Sequence, residues 1–142
     1  MSNNLEAKYN KSRRATYNLT VHLVFVTKYR YKALTRIMLE EIKKEFRSVL
    51  KAWESELLEF DGEADHVHCL ISYPPHKLLS AMVGNMKASA TKRIYKNYLD
   101  EIRKSYWGDK RVLWTPSYFV ASCGGVTIDT LKMYIQNQDT PE

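Results

Sequence analysis

His66 and His68 are separated by a single residue, Val67. On a β-strand successive side chains leave opposite faces, so this spacing aims two imidazoles at one point while Val67, Cys69 and Ile71 face the other way. If that apolar face packs under a helix, the strand becomes a rigid mount for a pair of metal ligands. An isolated His-x-His is equally compatible with two half-exposed histidines at a strand edge, so the pair alone decides nothing. His22 and His76 have no partner at a matching spacing and read as structural or solvated. Asp65 and Glu63, just before the histidines, are candidates for orienting a ligand imidazole, although as turn acids they need no function.

A second constellation lies near the C-terminus. Tyr134 and Gln138 are four residues apart in a segment of helical character, which puts them on the same side one turn apart. Both fall on a flank of the apolar stripe Ile128, Leu131 and Ile135, where a tyrosine is more often a packing residue. Chemically the two constellations fit together. Two neutral imidazoles and one amide oxygen leave coordination positions open for phosphate oxygens, and a metal so held is a Lewis acid. A phenolate could then attack the phosphorus in line and form a covalent phosphotyrosine. A phenol titrating near ~10 needs help from the metal or from basic surroundings, and no unmistakable general base is visible.

The elements that must position these residues follow from hydrophobic period and turn chemistry. Tyr17 to Thr27 carries the apolar run Val21 to Val26, suited to a central strand covered on both faces. Thr35 can cap a helix with apolar positions Met38, Ile42, Phe46, Val49 and Trp53. Leu57 to Phe60, a turn at Asp61 and Gly62, and His66 to Tyr73 read as two antiparallel strands, stopped by Pro74 and Pro75. A second helical stripe runs through Leu78, Leu79, Met82, Val83, Met86, Ala90 and Ile94, with Lys87, Lys92, Arg93 and Lys96 adding positive charge. Arg111 to Ala121 is expected as a fourth strand, at an edge or bulged because Pro116 cannot donate to a ladder. Gly124 and Gly125 break the chain, and Thr127 can cap a last helix, Ile128 to Gln138. The resulting order predicts an α+β domain: a ferredoxin-like or RRM-like split βαβ antiparallel sheet, helices on one face, and a C-terminal helix carrying the tyrosine.

The chain has 142 residues, 44% of them hydrophobic, enough for one domain, expected over 17–142 behind a basic leader at 1–16. A net charge of +6 favours polyanionic partners. Cys69 and Cys123 are too few and too far apart for a zinc-finger or disulfide framework. No segment approaches the roughly 20 apolar residues of a membrane span, and Met1 to Thr16 lacks an apolar signal core, so no membrane partner and a cytoplasmic location are expected.

At this point the chain resembles a known family, the single-tyrosine HUH transposases (TnpA type) of small insertion sequences that move as single-stranded DNA. The resemblance runs from about Tyr17 to Gln138 and rests on VHLVFVTKYR, DHVHCLIS, LWTPSYFVASCGG and TIDTLKMYIQNQ. It implies that His66, His68 and Gln138 are metal ligands and that Tyr134 is the nucleophile. It also implies magnesium or manganese as cofactor, cleavage and rejoining of single-stranded DNA through a 5′-phosphotyrosine, and recognition of hairpins at insertion-sequence ends. A homodimer with composite active sites is implied too, Gly124 and Gly125 being the flexible connection to the tyrosine helix.

For DNA contacts the sequence nominates Lys28, Arg30, Lys87, Lys92 and Arg93 at phosphates, with Tyr29 and Tyr118 as stacking surfaces for unpaired bases. Three rivals remain open on sequence grounds. A non-catalytic RNA-binding module shares the element order but does not need His66, His68, Tyr134 and Gln138 together. A replication nuclease or relaxase shares the chemistry but commonly carries a longer chain. A simple metal hydrolase would form no tyrosine adduct.

Overall fold

The computed structural model describes residues 10–11, 15–123 and 128–138. Strand β1 (Thr20–Val26) is followed by helix α1 (Arg36–Ala52), strands β2 (Glu56–Glu63) and β3 (His66–Ser72), helix α2 (Leu79–Asn97) and a one-turn helix α3 (Leu99–Ile102). Strand β4 (Phe119–Ser122) and helix α4 (Ile128–Gln136) complete the order. The sheet runs β2-β3-β1-β4 with every neighbouring pair antiparallel. This is the expected ferredoxin-like arrangement with one added C-terminal helix. Before it, Asn10–Lys11 pair with Thr16–Tyr17 in a two-residue ladder.

The core lies between the sheet and helices α1 and α2. Val21, Leu23 and Phe25 of β1 sit opposite Ile71, Cys69 and Val67 of β3, so these six side chains share the helix-covered face. Thr35 caps α1 by accepting a hydrogen bond from the Met38 amide at 3.2 Å, as its sequence position predicts. Met38, Ile42, Phe46, Val49 and Leu50 of α1 then meet Met82, Val83, Met86, Ala90 and Ile94 of α2, all buried. Phe25 stands edge-on to Phe46 with ring centres 5.6 Å apart. Truncating such a core phenylalanine to alanine typically costs about 3–5 kcal/mol. The second stripe starts later than expected, since Leu78 is exposed and lies ahead of α2.

Two expected boundaries are corrected. The hairpin turn is at Ala64 and Asp65, not at Asp61 and Gly62, because β2 continues in register through Asp61↔His68, Gly62↔Val67 and Glu63↔His66. Gly62 packs beside Leu39: a Cβ there would stand 2.7 Å from Leu39 Cδ2, which would have to shift. The fourth strand is also shorter than Arg111 to Ala121. Leu113–Thr115 only bridges the exit of β1, with the Thr115 amide donating to the Val26 carbonyl at 2.8 Å, and pairing resumes at Phe119 after Pro116 has interrupted the ladder.

Candidate active site

His66 and His68 leave β3 on the face away from α1 and α2, opposite Val26 and Val24 of β1. Helix α4 lies over this same face. The Tyr134 ring rests against Phe119 with centroids 5.2 Å apart, and Phe119 is the β4 residue facing Val24. The tyrosine and the histidines therefore meet one surface of the sheet from different elements.

The mount for His66 is tied down from both sides. Thr27, fully buried at the end of β1, donates its amide to the Asp65 carbonyl at 3.0 Å, and the Leu34 amide donates to the Ala64 carbonyl at 2.9 Å. These two hydrogen bonds anchor the turn that carries Asp65. Asp65 Oδ1 stands 2.8 Å from His66 Nδ1, which leaves Nε2 as the free ring nitrogen of His66. That is the usual way a protein holds a ligating imidazole, with a carboxylate on the other nitrogen.

Arg30 joins this turn to the tyrosine helix. Its Nε is 4.0 Å from Asp65 Oδ2, while Nη1 donates to the carbonyls of Gln136 at 3.1 Å and Ile135 at 3.5 Å. The last carbonyls of a helix lack intrahelical partners and carry partial negative charge, so a guanidinium is a suitable cap. To reach them the chain turns sharply after β1: Tyr29 and Arg30 have φ of 61° and 55°, in the left-handed region. Two such non-glycine residues in succession cost on the order of 1–3 kcal/mol each, a strain that concentrates at functional sites.

His68 differs from His66. Its Nε2 is 2.8 Å from Nδ1 of His22, with ring centroids 5.0 Å apart and planes inclined by 13°, so the two rings meet edge to edge in nearly one plane. Burial, then the neighbouring His22, hold His68 below the usual histidine range, against the opposite pull of Asp61 and Glu59. The neutral imidazole, which is the ligating form, is thereby favoured. By spacing alone His22 reads as a lone histidine, and the structure corrects this. It pairs with Leu70 while His68 pairs with Val24, so the two imidazoles meet diagonally across the β1–β3 ladder, a contact that only the strand register reveals.

Gln138 lies two residues beyond the end of α4, so the helix is slightly shorter than expected. Its Nε2 donates to the Tyr134 carbonyl at 3.2 Å, which keeps the two residues together. Ser117, absent from the sequence-derived candidates, faces both: its Oγ is 3.4 Å from the Tyr134 hydroxyl and 3.5 Å from Gln138 Oε1. Among the described residues, the histidine, cysteine and acidic side chains whose donor atoms all lie within 4.8 Å of one another are Glu63, Asp65 and His66. A nitrogen and oxygen donor set of this kind can hold a divalent cation, and it includes His66 but neither His68 nor Gln138.

The nominated DNA contacts divide. Lys28, Lys87, Lys92 and Arg111 line a groove of about 520 Å³ whose wall includes Trp114. Arg111 is not among the residues that the sequence nominates. Lys87 is half buried and donates to the Thr115 carbonyl at 2.7 Å, and burial lowers its basicity. Arg93 is engaged by Glu41 at 2.6 Å and Glu45 at 2.7 Å on α1, so its charge is spent within the fold. Tyr29 is exposed with Lys28 Nζ 5.5 Å from its ring centre, whereas Tyr118 stands edge-on to the core ring Phe25 at 6.3 Å. Gly124, Gly125 and Thr127 lie outside the described residues.

The family model for "Transposase IS200 like" matches residues 15–138. The chain belongs to the IS200-like transposase family. Among its relatives, the ISDra2 transposase TnpA of Deinococcus radiodurans is 27% identical over 138 residues, covering 97% of this chain and 96% of the relative. The IS200 transposase of Salmonella typhimurium is 27% identical over 122 residues, covering 86% and 78% of the two chains. A crystal structure described as a transposase from Deinococcus radiodurans superposes with a TM-score of 0.83 at 27% identity, over 93% of this chain and 99% of that one. A tyrosine transposase solved with a REP hairpin shares the fold, with a TM-score of 0.57 at 12% identity over 89% and 68% of the chains. Membership in this transposase family implies cleavage and transfer of DNA, and it answers the RNA-module reading. In this IS200-like transposase no helix among the described residues is long and apolar enough to cross a membrane.

Proposed function

We propose that this transposase cleaves and rejoins single-stranded DNA with Tyr134 as nucleophile and with His66, His68 and Gln138 holding one divalent ion, magnesium or manganese. The observation that carries this reading is the Arg30 bridge, which ties the turn orienting His66 to the end of the helix bearing Tyr134. It explains why a tyrosine, an amide and an oriented imidazole from distant parts of the sequence share one face of the sheet.

In the cleavage step the Tyr134 oxygen bonds to the scissile phosphorus and the bond from phosphorus to the 3′ oxygen breaks. The phenolic proton leaves to solvent, and the departing 3′ oxygen takes up a proton. The products are a 5′-phosphotyrosine and a free 3′ hydroxyl. Attack by a DNA hydroxyl reverses the step, and no ATP is required because the phosphoester link is conserved. When bound, the divalent ion supplies Lewis-acid stabilisation of charge on the phosphate. Asp65 keeps the His66 ring oriented, Ser117 faces the phenol, and Phe119 supports its ring.

The substrates that fit are hairpins at insertion-sequence ends, with Lys28, Lys92 and Arg111 along the groove as phosphate contacts and Tyr29 as a stacking surface. The working unit is a homodimer with composite sites, in which α4 makes across the dimer the same contacts to Arg30 and Phe119 that it makes here within one chain. The deciding experiment is Tyr134→Phe with a labelled single-stranded hairpin. The variant should bind the hairpin and form no covalent adduct on a denaturing gel. An adduct that persists removes Tyr134 from the mechanism.

A further inference from the structure

We propose that His22 is a positioning residue for the metal centre, holding His68 as Asp65 holds His66. The inference rests on the metal reading above and names a residue which that reading does not use. His22 lies on the central strand, its imidazole half buried on the same face as His68. A nitrogen-to-nitrogen distance of 2.8 Å requires one ring to donate and the other to accept, so each fixes the tautomer of the other. With the two ring planes inclined by only 13°, the hydrogen bond lies close to both planes and restricts rotation of His68 about its own side-chain bonds.

The consequence is an asymmetric pair. With Nδ1 engaged by Asp65, His66 presents Nε2. With Nε2 engaged by His22, His68 presents Nδ1. A carboxylate and an imidazole thus do the same work on neighbouring ligands. The carboxylate comes from the hairpin turn and the imidazole from the central strand. Outer partners of this kind commonly change metal affinity by about 10- to 100-fold when removed.

The test is titration of the full chain with Mn²⁺, followed by the magnetic resonance signal of the free ion, for the parent, His22→Ala, His22→Asn and His66→Ala. The amide introduced by His22→Asn can sit close to where Nδ1 of the imidazole stood. The expected result is affinity lowered about 10- to 100-fold in His22→Ala and largely recovered in His22→Asn, with both variants melting near the parent temperature. Ring-nitrogen spectra of the parent should show His68 engaged at Nε2. Unchanged or tighter binding in His22→Ala overturns the proposal, as does a loss that follows the fall in melting temperature and that His22→Asn does not restore. A parent that binds no Mn²⁺, or a His66→Ala variant that binds as the parent does, instead removes the metal centre itself and this inference with it.

Discussion

Arg30 donates to the carbonyl oxygen of Gln136 at 3.1 Å, although 106 residues separate the two in sequence. Because the same guanidinium faces Asp65, the orientation of His66 and the docking of the tyrosine helix share one side chain.

Replacing Arg30 should therefore loosen the helix before it harms the fold. Charge-assisted hydrogen bonds of this kind contribute roughly 1.5–3 kcal/mol, enough to shift the docked fraction of α4 by about tenfold or more. Hydrogen exchange in residues 132–138 should accelerate in Arg30→Ala while the β1 and β3 amides keep their protection. Arg30→Lys should rescue poorly, since one ammonium cannot span the carboxylate and two carbonyls as a planar fork does. Unchanged exchange in 132–138 would mean that Arg30 does not hold the helix.

Composite sites make a sharper prediction. A Tyr134→Phe chain retains both histidines, and a His66→Ala, His68→Ala chain retains the tyrosine. Each homodimer should be inactive, whereas the mixed dimer should form an adduct only on the histidine-deficient chain, which a size tag reveals on a denaturing gel. If cleavage uses the arrangement seen within one chain, where Tyr134 lies on its own Phe119, the mixed dimer that still binds hairpin gives no adduct.

The groove between Lys28 and Pro116 should control the salt dependence of hairpin binding. Removing one cation from a phosphate flattens the slope of log K against log salt by about 0.7–0.9. A Lys92→Ala, Arg111→Ala variant, which loses two cations, should flatten the slope by about 1.4–1.8, measured by fluorescence anisotropy between low and moderate salt. Arg93→Gln should leave the slope as it is, because the Arg93 guanidinium is already engaged by the carboxylates of Glu41 and Glu45.

Arg93 should matter instead for acid stability. Its hydrogen bond holds the Glu41 carboxyl below its ordinary value of 4.5. A carboxylate whose folded pKa is depressed contributes stability that is complete above the unfolded value and is lost as pH falls through the folded one. The melting temperature of the parent should thus fall more steeply below pH about 4.5 than that of Arg93→Gln, the two curves converging in acid. Parallel curves from neutral pH to acid would separate Glu41 from the acid response.

Much of this architecture is legible in residue order. The apolar run Val21–Val26, the cap at Thr35 and the period of the two long helices suffice for the sheet and its covering layer. The alternation of His66, Val67, His68 and Cys69 separates the open face of the sheet from its core face, as the burial of Val67 and Cys69 shows. What is lost is information carried by register and by distant packing. Gly62 looks like a turn residue locally, but it lies within β2 and faces the Leu39 side chain, a contact no local pattern encodes. His22 and Ser117 reach their partners only because β1 and the β4 approach are paired with elements far away in sequence. Charge counting likewise could not tell Lys92, on the groove wall, from Arg93 beside it, which turns to the carboxylates of α1.

The two cysteines differ in a way that is useful at the bench. The thiol of Cys69 is fully buried in the core and burial pushes its pKa up, so it is shielded from electrophiles in the folded protein. Cys123 is exposed at the end of β4, where its amide donates to the Thr20 carbonyl, and it is the last described residue before α4 resumes at Ile128. A maleimide fluorophore or nitroxide should accordingly attach at Cys123 alone without any engineered cysteine. That native attachment point sits on the sheet at the root of the tyrosine helix, so a label there reports on this end of the sheet while DNA is added to an otherwise unaltered enzyme, and a distance between two labels would register the proposed dimer.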